Sequence, residues 1–154
     1  LYRGAAALLA SIRQQGHHSW LVTSKPQKYA EQVVTNLGIG GDLEGVVGAG
    51  LDESDTKTGL IARALSESAA LPNQCLMLGD RSYDVIGALE NGVTPVGALW
   101  GYGSRRELEE AGCREFCDDL AQFHDRFLAP SLFPPEQLPL ATARRRCGPG
   151  HTVH

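Results

Sequence analysis

Apolar positions recur along the first 128 residues with two alternating periods, and their alternation predicts a repeating order of strand and helix. Ala5, Leu8, Leu9 and Ile12 fall on one helical face, with Gly16 placed to close that helix. The run "SWLVTS" (19–24) reads as a buried strand with a polar end. In the helix that follows, Ser24 is the expected N-cap and Pro26 lies in the first turn. Tyr29, Val33 and Leu37 with Ala30 and Val34 form its expected inner face, and Gly38 stands at C′. "GVVGA" (45–49) is a short strand, and Lys57 to about Ala69 is a helix with Leu60, Ile61, Ala64 and Leu65 at core spacing. "CLMLG" (75–79) is the next strand, and Val85, Ile86 and Leu89 face inward from a helix closed by Gly92. After the strand "TPVGAL" (94–99), Ser104 and Glu107 have the spacing of a capping box at the start of a helix ending at Gly112. Leu120, Phe123 and Phe127 mark a last amphipathic piece.

Strands and helices alternating at this spacing imply parallel strands covered on both faces. The expected fold of residues 1–128 is therefore α/β, a doubly wound, Rossmann-like, mostly parallel sheet. From Ala129 the pattern collapses into Pro130, Pro134, Pro135 and Pro139, then "ARRRCGPGHTVH". Residues 129–154 are expected to be a disordered Pro/Arg-rich tail, its Arg144–Arg146 run read as solvated charge.

Composition narrows the function. The 154 residues fit one domain, and 18 acids against 14 Lys and Arg give a net charge of −4, which argues against nucleic acid as a partner. No apolar stretch approaches the length of a membrane span, and Arg13, Gln14 and Gln15 interrupt the N-terminal apolar stretch before it resembles a signal peptide. The four cysteines, at 75, 113, 117 and 147, form no CxxC pair and have no zinc-like histidine spacing; Cys113 and Cys117 have the spacing of one helix face. Reduced thiols in a cytoplasmic protein are the expectation.

In an open parallel sheet, ligands bind beyond the carboxyl ends of the strands. Thr23, Ser24 and Lys25 lie there after one strand, Gly79, Asp80 and Asp84 after another, and Lys57 at the start of the helix between them. Each alone has an ordinary reading: Thr23 and Ser24 as a helix cap, Lys57 as a surface lysine, Asp80 as a turn residue, Asp84 as an N-cap. Together they suit a phosphoryl group. A hydroxyl and backbone N–H groups hold phosphate oxygens, lysine neutralises them, and paired carboxylates hold Mg²⁺ against the same anion.

These residues also carry a resemblance. "LVTSK" (21–25), the lysine opening "KTGLIARAL" (57–65) and "MLGDRSYDVIGALENGV" (77–93) resemble motifs two, three and four of the haloacid dehalogenase-like (HAD) hydrolases. "GDRSYDVIGALENG" followed by "ALWGYGSRRELEEAG" is similar to the phosphoglycolate phosphatase and 5′-nucleotidase-like branch. The resemblance covers about residues 1–128. It implies a Mg²⁺-dependent phosphatase acting on a small phosphate ester, such as phosphoglycolate or a nucleoside monophosphate. By the same resemblance Thr23 binds the phosphoryl group, with Ser24 standing where relatives often have Asn. Lys57 stabilises the charge on nucleophile and phosphate, Asp80 ligates Mg²⁺, and Asp84 completes the metal shell or orients its water. "WGYG" (100–103) is placed to line the rim.

The family's nucleophile lies in an Asp-x-Asp-x-Thr/Ser motif on an earlier, central strand, and no such motif occurs in this sequence. "DESDT" (52–56) and Asp118-Asp119 do not fit it. The cap domain expected between the first two motifs is absent too. The expectation is a C-terminal portion of a phosphatase, inactive alone, with the edges that flank its missing strand left unpaired or forced together. A non-catalytic phosphate- or metal-binding or regulatory module on a degenerate fold is the alternative. A receiver domain would place its acids before the hydroxyl and lysine, the reverse of this order. "GIGGDLEG" (38–45) and "GYGSRR" (101–106) offer only part of a dinucleotide fingerprint.

Overall fold

The computed structural model describes residues 2–50, 55–128 and 151–153. Its strands are β1 (His18–Pro26), β2 (Gly45–Ala49), β3 (Leu76–Gly79), β4 (Thr94–Ala98), β5 (Glu115–Cys117) and β6 (His151–Val153). The helices are α1 (Ala5–Gln14), α2 (Gln27–Leu37), α3 (Lys57–Ser68), α4 (Ser82–Glu90), α5 (Arg105–Glu110) and α6 (Leu120–Phe127). The strands form one sheet in the order β2-β1-β6-β3-β4-β5, with every neighbouring pair parallel. This is the doubly wound α/β architecture that the alternation predicts.

Both sheet faces are apolar because both are covered. On one, Trp20, Val22, Val47 and Met77 pack against Leu60, Ile61 and Ala64 of α3 and Ala88 of α4. On the other, Leu76 and Val96 meet Leu8 and Ile12 of α1 and Phe123 and Phe127 of α6. Period-2 alternation thus sends Leu76 and Met77 to opposite layers.

Three expectations about the helices change. Strand β1 runs on to Pro26, with a register break between Thr23 and Pro26, so Pro26 rather than Ser24 occupies the N-cap of α2. Ala30 and Val34 are the buried stripe of α2, whereas Tyr29, Val33 and Leu37 are exposed. The helix lies over β2 at the sheet's edge, and an edge covers a narrower stripe than a central strand does. In α4, Val85 is buried as expected, but Ile86 and Leu89 are exposed, and Asp84, Gly87 and Ala88 face inward instead. Gly38 closes α2 in the left-handed conformation with φ 66°, as its position predicts.

Strand β5 has no counterpart in the predicted elements. It spans three residues, too short to register as a period, and its Cys117 is buried on the sheet rather than sharing a helix face with Cys113.

The tail requires the largest correction. Residues 151–153, expected to be disordered, form β6 in the middle of the sheet. His18, Ser19 and Trp20 of β1 lie opposite His151, Thr152 and Val153, and Leu76 and Met77 of β3 lie opposite Thr152 and Val153. Two adjacent strand edges present rows of unpaired N–H and C=O groups, and any extended segment that reaches between them gains a full ladder on both sides. That demand is made by β1 and β3, not by periodicity within "HTV", so the segment's own pattern does not announce it. The place expected to lack a strand therefore holds a short one. The rest of the predicted tail, including Arg144–Arg146 and Cys147, and Asp52 to Ser54 of "DESDT", lie outside the described residues.

Candidate active site at the carboxyl edge of the sheet

Strand β3 ends at Gly79, and the chain turns directly into α4, whose N-cap is Arg81. That short turn folds Asp84, the third residue of the helix, back over the strand end. Asp84 Oδ2 accepts the backbone N–H groups of Asp80 and Arg81, each at 3.2 Å, so the carboxylate satisfies two donors that the helix start leaves unpaired. Close approach requires glycine here: a Cβ on Gly79 would collide with the Asp84 side chain. The ordinary capping role of Asp84 is thus real, although it caps from inside the first turn rather than from the N-cap position.

Its other oxygen does something different. Asp84 Oδ1 lies 3.0 Å from Lys57 Nζ, and both side chains are less than a tenth exposed. Lys57 is the first residue of α3, placed there by Thr56, whose hydroxyl accepts the Gly59 N–H at 3.1 Å. The ammonium also donates to the Val22 carbonyl at 3.1 Å. Lys57 is therefore no surface lysine; it ties α3, β1 and α4 together at one point.

Asp80, from the same turn, is held by a different loop. Its Oδ2 accepts the Tyr102 N–H at 2.8 Å, from the loop that follows β4. Gly101 and Gly103 let that loop close over Asp80, since a Cβ at either position would strike its side chain or its carbonyl. The "WGYG" segment thus does line the rim, through its backbone, while the Tyr102 side chain is exposed. Thr23 sits across the gap at the end of the regular part of β1, its hydroxyl accepting the Lys25 N–H at 3.2 Å. Among the described residues that hydroxyl donates no hydrogen bond.

Thr23, Lys57, Asp80 and Asp84 all line one cavity of about 570 Å³ between β1 and β3, with Trp100 and Gly101 at its rim. Ser24 is exposed and does not line it. The two acids play unequal parts. Both Asp84 oxygens are occupied within the protein, whereas Asp80 Oδ1 accepts no hydrogen bond among the described residues. No group of three or more His, Cys, Asp or Glu able to hold a metal occurs among the described residues. The donor set is one open carboxylate beside a second, lysine-paired one. Mg²⁺ commonly keeps several waters and takes one or two carboxylates together with substrate phosphate, so the residues fit it.

Glu107 is the residue that motif reading misplaced. The Ser104 hydroxyl accepts the Glu107 N–H at 3.1 Å, as a capping box requires, but the Glu107 carboxylate leaves its own helix. It accepts from the Ser82 N–H at 2.9 Å and the Arg81 Nε at 3.1 Å, bracing the start of α4 from α5. Those donors, the Ser82 amide first and the Arg81 guanidinium second, hold the Glu107 carboxyl below its ordinary value.

The order of strand ends, lysine and acids matches a known family. A family described as haloacid dehalogenase-like hydrolase matches residues 1–98. The chain belongs to the haloacid dehalogenase-like hydrolases. Among its relatives, a 5′-nucleotidase of Pseudomonas aeruginosa is 33% identical over 122 residues, covering 79% of this chain and 55% of the relative. A phosphoglycolate phosphatase of Rhodospirillum rubrum is 32% identical over 126 residues, 81% of this chain and 52% of the relative. Tyrosine-protein kinase PtkA of Mycobacterium tuberculosis is 38% identical over 104 residues, 67% of this chain and 36% of the relative. The fold superposes on a predicted phosphatase from Clostridium acetobutylicum with a TM-score of 0.80 at 34% identity, covering 82% of this chain and 59% of that one. The chain spans about half the length of the two phosphatase relatives it matches and about a third of the kinase. Among the described residues, no helix is long and apolar enough to cross a membrane.

Proposed function

We propose that this chain is the phosphate- and Mg²⁺-binding half of a HAD phosphatase that hydrolyses a small phosphate monoester. The observation that carries the reading is the convergence of Thr23, Lys57 and Asp80 on one cavity at the carboxyl edge of a parallel sheet. Phosphoglycolate and nucleoside monophosphates are the candidate substrates, taken from what the relatives are named for. Asp80 would ligate Mg²⁺ directly. Asp84, held by Lys57 and two backbone amides, would orient a water on the metal rather than ligate it. The metal, when bound, neutralises charge between the carboxylates and the phosphate.

The chain's own groups then divide the work. The Thr23 hydroxyl donates to a phosphate oxygen, and the loop amides beyond β1 approach the same oxygens. Lys57 contributes a fixed positive charge whose position is set before substrate arrives, which is how preorganised groups stabilise developing charge. None of these groups supplies an attacking atom. We propose that the nucleophile comes from an Asp-x-Asp segment preceding these residues in the parent protein, and that residues 1–154 alone do not turn over. The relative named a tyrosine-protein kinase makes phosphoryl transfer a second reading, distinguished by whether phosphate goes to water or to an acceptor hydroxyl.

The site itself is tested by titrating the isotope-labelled chain with Mg²⁺ and then orthophosphate, following backbone amide shifts by NMR. Saturable Mg²⁺ shifts at Asp80 and Gly101, abolished in Asp80→Asn, support the reading. Shifts of equal size in Asp80→Asn contradict it.

A further inference from the structure

Helices α1 and α6 lie side by side on one sheet face, where Leu8 and Ile12 of the first are buried with Phe123 and Phe127 of the second. The stripes beside these buried ones meet at a groove open to solvent. Ala7, Ser11 and Gln15 recur every four residues along α1 and its C-cap, so they share one side of that helix. Ala121, His124 and Asp125 are three and four apart and share one side of α6. The groove between them has a volume of about 500 Å³, with Ala7, Leu8 and Ala121 in its apolar wall and Ser11, His124 and Asp125 beside them. None of those three polar residues lines the cavity between β1 and β3.

Ser11 Oγ and His124 Nε2 are 3.1 Å apart, and His124 Nδ1 lies 3.2 Å from Asp125 Oδ1. A carboxylate only accepts, so in the neutral imidazole Nδ1 carries the ring proton and Nε2 presents its lone pair to the Ser11 hydroxyl. Hydroxyl, imidazole and carboxylate thus stand in series, each step within the reach of about 2.6–3.2 Å that lets a base activate a serine. The Gln15 amide donates to the same Oγ at 3.1 Å. It therefore stands beside the point where the oxygen of an attacked carbonyl comes to rest. A hydrogen bond that merely joins two helices needs neither the carboxylate behind the ring nor the amide beside the hydroxyl. The His124 side chain is 34% exposed, so the pair is open to a ligand.

We infer that Ser11, His124 and Asp125 form a second hydrolytic site, acting on small carboxylic esters whose acyl group is apolar, as the groove wall is. His124 Nε2 takes the Ser11 proton as Oγ bonds to the ester carbonyl carbon. It gives that proton to the departing alkoxide oxygen as the ester's carbon–oxygen bond breaks. Water then loses a proton to Nε2 and attacks the acyl carbon; the bond to Oγ breaks, Oγ regains the proton, and a carboxylic acid leaves. Ser11 and His124 are the catalytic residues, and Asp125 is a positioning residue that acts through the ring. Neither phosphate nor metal enters these steps, so the site stands or falls independently of the phosphatase reading.

The probes are p-nitrophenyl acetate and a biotinylated alkyl fluorophosphonate, each given to the 154-residue chain without Mg²⁺. A fluorophosphonate forms a phosphorus–oxygen bond to an activated serine and releases fluoride, and peptide mass spectrometry then reads which residue carries it. Saturable release of p-nitrophenol with an initial burst, and labelling at Ser11, are expected. Ser11→Ala should lower the rate, and His124→Gln both the rate and the labelling, by at least about 10²-fold, the lower end of general-base assistance. Asp125→Asn should lower the burst rate with KM unchanged, and Asp125→Glu should recover part of it. Failure to label Ser11 would overturn the inference. So would hydrolysis that survives Ser11→Ala but falls in His124→Gln, the mark of an imidazole acting alone, or a burst unchanged in Asp125→Asn. If Ser11→Ala does not fold, the position labelled on the unaltered chain decides.

Discussion

Lys57 Nζ lies 3.0 Å from Asp84 Oδ1, and this buried contact joins the first turn of α3 to the first turn of α4 beneath the cavity. A buried pair holds two charges that water would otherwise solvate, so losing one partner leaves the other uncompensated. Lys57→Met and Asp84→Ala should each destabilise the chain by about 3 kcal/mol or more in urea denaturation. The double variant should cost less than the sum of the two. Strict additivity would show that the contact is not an energetic pair.

Lys57 also bears on catalysis. In a parent protein carrying the upstream nucleophile, Lys57→Ala should lower kcat by at least about 10²-fold, the scale for removing one preorganised charge. Turnover near that of the unaltered parent would return Lys57 to a purely structural role.

Gly101 is expected to be intolerant of any side chain, because its missing Cβ is the space that Asp80 fills. Gly101→Ala should destabilise by about 1–3 kcal/mol, as overpacking does, and should also weaken Mg²⁺ binding by shifting Asp80. Calorimetric Mg²⁺ titration checks the second effect. Unchanged affinity would mean that the loop moves and the carboxylate does not.

Two groups predict pH behaviour. The Glu107 carboxyl is held below its ordinary 4.5 by the Ser82 amide and Arg81, so its support of α4 is present above that pH and is lost as pH falls through the lowered value. The stability difference between the chain and Glu107→Gln should therefore shrink in acid below 4.5. Burial pushes the Cys75 thiol from 9.0 to about 11, so the folded chain keeps the thiol neutral where the unfolded chain ionises, and stability falls as pH rises from 9 to 11. Thiol titration at pH 8 should find Cys75 unreactive until the chain is unfolded.

The sheet's alternation was legible because β1, β3 and β4 each carry a short apolar run, buried by the helices that cover the sheet. The candidate site was legible too, since Thr23, Lys57, Asp80 and Asp84 stand at strand ends and helix starts, where spacing alone locates them. What each does there was less so. Asp84 reads equally as cap or metal ligand, and only the folded turn assigns its two oxygens to backbone amides and to Lys57. The Glu107 contact with Ser82 links residues 25 apart, which no local pattern reports. Helix faces failed where two stripes compete: in α2, Ala30–Val34 and Tyr29–Val33 are both four apart, and the position of the edge strand decides between them. Strand β6 was illegible for a related reason, because its pairing is dictated by β1 and β3.

The most direct test of the proposed function compares phosphate release by residues 1–154 with release by the same residues joined to an upstream Asp-x-Asp segment. Both are assayed with Mg²⁺ and a generic phosphate ester. The account predicts background rates for the chain alone and Mg²⁺-dependent hydrolysis for the joined protein, abolished by Asp80→Ala. Robust Mg²⁺-dependent hydrolysis by residues 1–154 alone, lost in Asp80→Ala, would contradict it.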